Sequence, residues 1–355
     1  MTPADDADGS HARIFVSIAS YRDPETAWTV RSALQRARFP RRLVFGICWQ
    51  YDASVDAERL FSNMPKPLFE GQIRSVSLRH DQACGPQWAR YLIQSRLYRD
   101  EPFYLQIDSH MRFCHDFDVI LIEEFNDARA QSPRPILTTY PPGYTRLGAE
   151  GQPEVDTGIA GGMIATRLYP RSFGDDGMLR IVGRAFDVAP SRPVPTPFWA
   201  AGFSFSRGDW VRDCPYDPNL RHVFFGEESV MAARIFTSGY DCFAPSRVVC
   251  CTKWSRDYRP TFRENPGSQS LTHLSVRRMR FVLEASDGDV DDIGDVGRYG
   301  LGRVRTMREY QQVAGVDFRK RSVLGDEPSC EKLSPMPALP PSITNRVLNL
   351  VINGV

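Results

Sequence analysis

The stretch FYLQIDSH at residues 103–110 is apolar over five residues and then abruptly polar. The run from Phe103 to Ile107 predicts a short, buried β-strand. Asp108 and His110 follow it two residues apart, so both side chains can face the same side. A carboxylate oxygen and an imidazole nitrogen suit Mn²⁺ or a similar divalent cation. The stretch therefore predicts a strand ending in a metal site, where a cation would bind a diphosphate and neutralise a departing charge.

Strands and helices alternate on both sides of this stretch. The apolar periodicity predicts strands at residues 14–19, 43–49, 73–78, 103–107 and 135–140. It predicts helices at residues 26–38, 53–63, 87–98 and 117–130. Alternation at these lengths is typical of βαβ units with a mostly parallel sheet. We therefore expect an α/β fold in which helices flank a Rossmann-like central sheet.

The second half of the chain is less regular. Residues 141–197 are rich in Gly, Pro and Arg, and they predict a long excursion over one edge of the sheet. A short strand near residues 162–168 is expected within it, and a second strand is expected at residues 240–251. Helices at residues 271–284 and 303–312 predict a C-terminal helical extension.

The two ends of the chain differ from the rest. Residues 1–12 are polar and acidic and predict a disordered leader. Residues 321–355 predict a Pro-rich extension that closes with a short helix at 343–351. Residues 13–320 remain as the main domain.

The composition excludes several classes of protein. With 42% apolar and 25% charged residues among 355, the chain resembles an ordinary globular protein. A net charge of +1 argues against a nucleic-acid partner. No segment is long and apolar enough to span a membrane, and the N-terminus lacks the basic and apolar regions of a secretory signal. Eight cysteines without a CxxC spacing predict reduced thiols and a cytoplasmic protein.

Polar segments follow four of the predicted strands, namely residues 17–22, 49–52, 80–85 and 108–110. In open sheets of this kind, ligands bind at the carboxyl ends of the strands. We therefore expect these segments to meet at one edge, which is consistent with an enzyme that acts on nucleotide sugars.

Two helix starts carry candidate ligand-binding residues. Glu227 and Glu228 open a helix, where they either stabilise the helix dipole or place a carboxylate among substrate hydroxyls. Gly85 and the proline after it open another helix, whose first amides and Arg90 could meet a phosphate. An ordinary Pro-initiated helix would have the same sequence.

The segment WSRDYRP at residues 254–260 follows a strand and combines aromatic rings with two arginines. Such a segment could hold a diphosphate, although an Arg–Asp surface network has the same pattern. His273 stands near a predicted helix start and is either a metal ligand from the C-terminal region or a surface histidine.

Taken together, the motifs resemble a GlcNAc-transferase family whose best-known members attach GlcNAc to hydroxyproline on a cytoplasmic ubiquitin-ligase adaptor of lower eukaryotes. The resemblance covers roughly residues 13–318. It is carried by SIASYRDPE at 17–25, GPQWAR at 85–90, YLQIDSHMRF at 104–113, PFWAAGFSFSRG at 197–208, DPNLRHVFFGEE at 217–228, WSRDYRP at 254–260 and YGLGRVRTMREYQQVAGVDF at 299–318. It implies a GT-A fold, UDP-GlcNAc as donor, Mn²⁺ or Mg²⁺, and retention of the anomeric configuration.

The resemblance also implies roles for single residues. Asp108 and His110 match a DxD-like metal motif. Glu227 and Glu228 match an acidic pair at the sugar or acceptor, and with Asp108 they form the expected catalytic group. We assign the pair to positioning and to stabilising transition-state charge, since retaining chemistry of this kind can proceed by same-face attack.

Donor-binding residues are implied in three segments. Ser20, Tyr21 and Arg22 match the segment expected near the uridine. The other matches are Gly85 and Arg90 on the donor side, and Trp254 and Arg256 after the last metal ligand.

The chain departs from the family pattern just before Trp254. A histidine is expected a few residues earlier, whereas this chain has VVCCTK. Three alternatives follow: Cys251 serves as the third ligand, His273 replaces it, or two protein ligands suffice with diphosphate and water.

We therefore expect a UDP-GlcNAc-dependent hexosyltransferase that acts on a protein or glycan hydroxyl, with protein hydroxyproline as the precedent of the family. One alternative is a transferase that uses another nucleotide sugar. The other is an inactive GT-A-like module that binds UDP, which the missing histidine motivates.

Overall fold

The computed structural model describes residues 12–147, 153–155, 164–264, 271–286, 293 and 296–325. Nearly all of the predicted leader and most of the C-terminal extension, including its terminal helix, lie outside the described residues. The division of the chain into leader, main domain and extension therefore stays a prediction. In the described part of the chain, none of the helices has the length and apolar character that crossing a membrane requires.

The described residues form eight α-helices and sixteen strands. The helices are α1 (Glu25–Arg36), α2 (Ala57–Phe61), α3 (Pro86–Arg96), α4 (Phe117–Arg129), α5 (Trp210–Asp213), α6 (Glu227–Thr237), α7 (Thr272–Val282) and α8 (Met307–Ala314). The strands are β1 (Ile14–Tyr21), β2 (Leu43–Tyr51), β3 (Ile73–Arg79), β4 (Phe103–Ile107), β5 (Met111–Phe113), β6 (Pro135–Thr138), β7 (Tyr144–Leu147), β8 (Pro153–Val155), β9 (Thr166–Phe173), β10 (Leu179–Ala185), β11 (Val194–Thr196), β12 (Phe203–Arg207), β13 (Asp241–Ala244), β14 (Cys250–Thr252), β15 (Val316–Asp317) and β16 (Ser322–Val323).

Eight strands form the central sheet, in the order β11-β13-β6-β12-β4-β1-β2-β3. β4, β1, β2 and β3 are mutually parallel, and β13 is parallel to β6. β12 lies antiparallel between β4 and β6, and β11 is antiparallel at the edge. The predicted α/β fold with a mostly parallel central sheet is confirmed.

Both faces of the sheet are covered, because successive side chains of each strand belong to two different apolar clusters. Phe15 and Tyr104 belong to the cluster that contains residues of α3, α6 and α8. Val16 and Leu105, their neighbours in the chain, belong to the cluster on the other face, with residues of α1 and α4. Successive side chains of a strand point to opposite faces, so near-continuous apolar runs are what a doubly covered sheet requires.

Two predicted strands differ from the observed ones. The strand expected at residues 240–251 is two strands, because β13 pairs with β6 whereas β14 pairs with β5 in a separate two-stranded sheet. The strand expected near residues 162–168 begins at Thr166, and it pairs with β10. The helices expected near the C-terminus are present as α7 and α8, and their residues help to form the core of the main fold.

Gly46 of β2 provides a test of this packing. A Cβ at this position would lie 2.1 Å from Cζ of Phe15. The Phe15 ring is buried and packs against the rings of Tyr98 and Tyr104, with centroids 5.4 and 5.3 Å away. Gly46→Ala should therefore lower the free energy of unfolding by about 1–3 kcal/mol, measured by urea denaturation. Gly325→Ala, whose Cβ would meet nothing within 4 Å, is the control, and an equal loss in both variants would contradict the packing argument.

Candidate active site

A cavity of about 490 Å³ lies at the carboxyl ends of the parallel strands. Tyr21 and Gln50 reach it from β1 and β2, and Asp108 reaches it from the end of β4. Gly85, just before α3, also lines it. The structure thus brings the predicted polar segments to one edge. Five consecutive residues of β10, Leu179 to Gly183, line the same cavity.

Asp108 is partly exposed to this cavity, with 33% of its side chain accessible. Its Oδ1 accepts a hydrogen bond of 3.0 Å from Nη2 of Arg90. Its Oδ2 lies close to the backbone of Gly202, where an added Cβ would be only 2.8 Å away. The carboxylate therefore has a defined direction, and Gly202 makes room for it.

His110 is buried at the cavity wall and held through one ring nitrogen. Its Nδ1 lies 2.9 Å from Oδ2 of Asp23. Because a carboxylate only accepts, Nδ1 donates, and the lone pair of the neutral ring is on Nε2. A carboxylate that orients a histidine in this way is a common companion of metal-ligating imidazoles.

Asp23 is fully buried and accepts from several donors. Oδ2 accepts from Oγ of Ser109 at 2.6 Å and forms an ion pair of 3.1 Å with Nε of Arg259. The hydroxyl of Tyr258 donates to the same oxygen at 3.3 Å. Burial opposes ionisation, but the hydrogen bond from His110, the charge of Arg259 and the hydrogen bond from Ser109 outweigh it and lower the pKa of Asp23 to about 2. Asp23 is therefore a stable anion that fixes His110.

Sequence reasoning missed this role of Asp23. Asp23 lies just before α1, and its Oδ1 accepts a hydrogen bond from the backbone N–H of Glu25 at 3.0 Å. Nothing in the local sequence signals the contact with His110, since the two residues are far apart in the chain.

Arg90 connects the two acidic parts of the site. Its Nη1 donates to Oε1 of Glu227 at 2.6 Å, while Nη2 binds Asp108. The hydroxyl of Tyr216 donates to the same Glu227 oxygen at 2.7 Å, and Gln106 Nε2 donates to that hydroxyl at 2.9 Å. Burial disfavours the charge of Arg90, but Glu227 outweighs it and raises the pKa of Arg90. Arg90 is a permanent cation paired with protein carboxylates.

Glu228 faces a different environment from Glu227. Its Oε1 accepts from the backbone N–H of Ala201 at 3.0 Å, and its Oε2 accepts from the hydroxyl of Tyr140. Burial raises the pKa of Glu228 to about 7, although both hydrogen bonds act in the opposite direction. The two adjacent acids thus lie in different environments, because Glu227 is paired with Arg90 whereas Glu228 accepts hydrogen bonds from Ala201 and Tyr140.

Gly226, the residue just before α6, allows the backbone conformation that places Glu227 and Glu228 in these two environments. Its φ of +97° is a conformation that L residues rarely adopt. An added Cβ would also lie 2.7 Å from Sδ of Met279 and 2.8 Å from Sδ of Met178.

Of the predicted donor-binding residues, Tyr21, Gly85, Arg90, Trp254 and Arg256 line the cavity. Trp254 is 48% exposed, and its ring meets that of Tyr140 edge-on, with centroids 5.8 Å apart.

Ser20 and Arg22 are not among the residues that line the cavity. The hydroxyl of Ser20 bonds that of Thr26 at 2.7 Å. Arg22 donates twice to the carboxylate of Asp56, at 2.7 and 3.2 Å. Strand alternation turns Ser20 away from the side that Tyr21 faces, and Arg22 follows the end of β1.

The structure does not bring Cys251 or His273 to Asp108 and His110. Cys251 is fully buried, and burial raises the pKa of its thiol to about 12. The next residue, Thr252, lines the cavity, so Cys251 faces the opposite side of β14. His273 is exposed on α7. Within the described residues, no group of three or more His, Cys, Asp and Glu side chains is arranged to hold a metal ion.

Arginines surround Phe224 and Phe225 at the cavity. The guanidinium carbons of Arg256 and Arg263 lie 4.8 and 4.7 Å from the centroid of Phe224. Arg180 of β10 lies 3.8 Å from the centroid of Phe225. Such stacked guanidinium groups favour an anionic ligand.

The family model described as Glycosyltransferase (GlcNAc) matches residues 13–65 and 55–320. The chain belongs to this glycosyltransferase family. No curated protein sequence matches it significantly. Among solved structures, GalNAc-T7 with UDP, GalNAc and Mn²⁺ is similar with a TM-score of 0.53 and 13% identity, over 78% of this chain and 49% of that one. The chain thus spans about half the length of GalNAc-T7.

Two further structures are similar at lower TM-scores. TarS 1–349 of S. aureus, in complex with UDP, has a TM-score of 0.43 and 10% identity, over 85% of this chain and 70% of that one. The mannosyltransferase PcManGT of Pyrobaculum calidifontis, with GDP-Man and Mn²⁺, has a TM-score of 0.41 and 10% identity, over 79% and 67%. The glycosyltransferase therefore has a GT-A fold, as expected.

The raised pKa of Glu228 predicts a pH effect on stability. The folded state holds a proton on Glu228 up to about pH 7, whereas its ordinary pKa is 4.5. The wild-type protein therefore loses stability as the pH rises from 4.5 to 7, and Glu228→Gln should not. Urea denaturation without metal or donor should show the free energy of unfolding of Glu228→Gln rising, relative to that of wild type, by on the order of 2 kcal/mol between pH 4.5 and pH 7. Glu58→Gln, at an exposed position, is the control. If the free energies of unfolding of Glu228→Gln and wild type differed by the same amount at every pH, the raised pKa of Glu228 would be refuted.

Proposed function

We propose that this glycosyltransferase is a metal-dependent, retaining enzyme that transfers GlcNAc from UDP-GlcNAc to a hydroxyl group. The observation that carries the proposal is the placement of Asp108 and His110 at the cavity, each held by a partner. Arg90 restrains Asp108, and Asp23 restrains His110. Preorganised ligands of this kind bind without a rearrangement at the moment of reaction.

The side chains fit a divalent cation. The half-exposed carboxylate of Asp108 and Nε2 of His110 supply one hard oxygen and one nitrogen, a set that suits Mn²⁺. Asp23, behind His110, fixes the orientation of the imidazole through the hydrogen bond to Nδ1. When bound, the cation would supply charge neutralisation for the UDP leaving group. GalNAc-T7, which shares the fold, was solved with UDP and Mn²⁺.

Cationic and aromatic side chains support a diphosphate and a sugar in the same cavity. Arg256 and Arg263 present guanidinium groups for phosphate oxygens. Trp254 and Tyr140 offer aromatic surface on which the apolar face of a sugar ring could pack.

Glu227 and Glu228 have separate tasks in this proposal. Glu227 holds Arg90 and Tyr216 in place, so it is a positioning residue. Glu228 lines the cavity with a pKa of about 7, and it would bind a hydroxyl of the sugar or the acceptor. Neither acid is assigned as a covalent nucleophile.

The acceptor in this proposal is a protein or glycan hydroxyl, with hydroxyproline as the family precedent. We propose the cytoplasm as its compartment. Among the described residues no two cysteines form a disulfide, which fits a reducing environment.

Donor hydrolysis tests the proposed reaction directly. The protein should release UDP from UDP-GlcNAc with Mn²⁺ or Mg²⁺, and EDTA should abolish the release because the leaving group would then lack its counter-charge. A screen of UDP-, GDP- and dTDP-sugars, read by coupled nucleotide detection, should favour UDP-GlcNAc. Preference for another donor would refute the donor assignment. Tight UDP binding without turnover under any metal would indicate an inactive module.

Replacement of Asp108 tests the site. Asp108→Ala should lower UDP-GlcNAc turnover by at least about 100-fold while the thermal unfolding transition stays cooperative. Asp81→Ala is a matched control, since Asp81 is an exposed acid paired with Arg79 on the surface. Activity of Asp108→Ala close to that of wild type would rule out the assignment.

A further inference from the structure

The hydroxyl of Thr252 lacks a hydrogen-bond partner although it is buried. Thr252 is only 1% exposed and lines the cavity. Its Oγ1 is among the buried side-chain atoms of the described residues that have no partner. Burying a hydroxyl without a hydrogen-bond partner is unfavourable, so a group of this kind in a cavity calls for a ligand.

Thr252 lies beside His110. It is the last residue of β14, and it pairs with Met111 of β5, the residue after His110. The backbone N–H of Lys253 donates to the carbonyl oxygen of His110 at 3.1 Å, and this bond links the residue after β14 to the residue before β5. Alternation along β14 turns the side chain of Thr252 to the cavity and that of Cys251 away from it.

We propose that Oγ1 of Thr252 is the third protein group on the cation held by Asp108 and His110. The proposal rests on the proposed function, because it assumes a cation at this site. A hydroxyl oxygen is a hard, neutral donor, and serine or threonine hydroxyls bind Mg²⁺ in the same way in phosphate-binding loops. The hydroxyl keeps its proton and uses a lone pair.

A neutral third ligand has a consequence for cation binding. Asp108 is then the one anionic protein ligand, and Arg90 already offsets part of its charge. The diphosphate of the donor must supply most of the remaining negative charge. The cation should therefore bind weakly to the free protein and much more tightly together with UDP.

Mn²⁺ titration followed by electron paramagnetic resonance, with and without UDP, tests this inference on the full chain. Thr252→Val removes the oxygen at nearly constant volume, and it should weaken Mn²⁺ binding in the presence of UDP by about 10-fold or more. Thr252→Ser should retain the wild-type affinity, and Thr252→His should match or exceed it. Cys251→Ala is the matched control from the other face of β14, and it should bind Mn²⁺ as wild type does.

The outcomes separate the inference from the proposed function. Wild-type Mn²⁺ affinity in Thr252→Val, with or without weaker UDP binding, would overturn the inference and leave the metal site intact. Weaker Mn²⁺ binding in Cys251→Ala, with wild-type affinity in Thr252→Val, would overturn the inference and assign the third ligand to Cys251. If the wild-type protein binds no Mn²⁺ even with UDP, both the inference and the metal-dependent reaction fail.

Discussion

The ion pairs of Arg90 join the two halves of the site. This guanidinium links Asp108, at the end of β4, to Glu227, at the start of α6. Because the pair with Glu227 is buried, removal of one partner would leave an uncompensated charge away from water, at a cost of about 3–5 kcal/mol. Arg90 was expected to meet a phosphate. Its two acidic partners give it a structural task, whereas Arg256 and Arg263 are exposed at the cavity.

Asp23 restrains His110 on the other side of the site. A buried carboxylate is unfavourable unless donors surround it, and Asp23 has Ser109, His110, Tyr258 and Arg259. These donors come from distant parts of the chain, so the carboxylate ties the start of α1 to the end of β4 and to the segment after β14. One anion therefore orients the imidazole and holds the cavity wall. The direction of Nε2 is set before any ligand arrives.

The adjacent acids Glu227 and Glu228 show how environment separates two identical groups. Successive residues of a helix point about 100° apart, so the first turn of α6 sends one carboxylate to Arg90 and the other to Tyr140. Glu227 is paired with the guanidinium of Arg90, while burial raises the pKa of Glu228 to about 7. Carboxyl groups whose environments differ in this way can take different roles in one reaction.

The sequence by itself determined the alternation of strands and helices, the mostly parallel sheet and the edge at which the cavity lies. These follow from local periodicity and from the common direction of parallel strands. It also predicted Asp108 and His110, because both follow one strand. Only the tertiary structure decided that β12 enters between β4 and β6, that Asp23 holds His110, and that Thr252 rather than Cys251 faces the cavity. Those features depend on pairing and register between distant segments, where a shift of one residue reverses the face of every side chain.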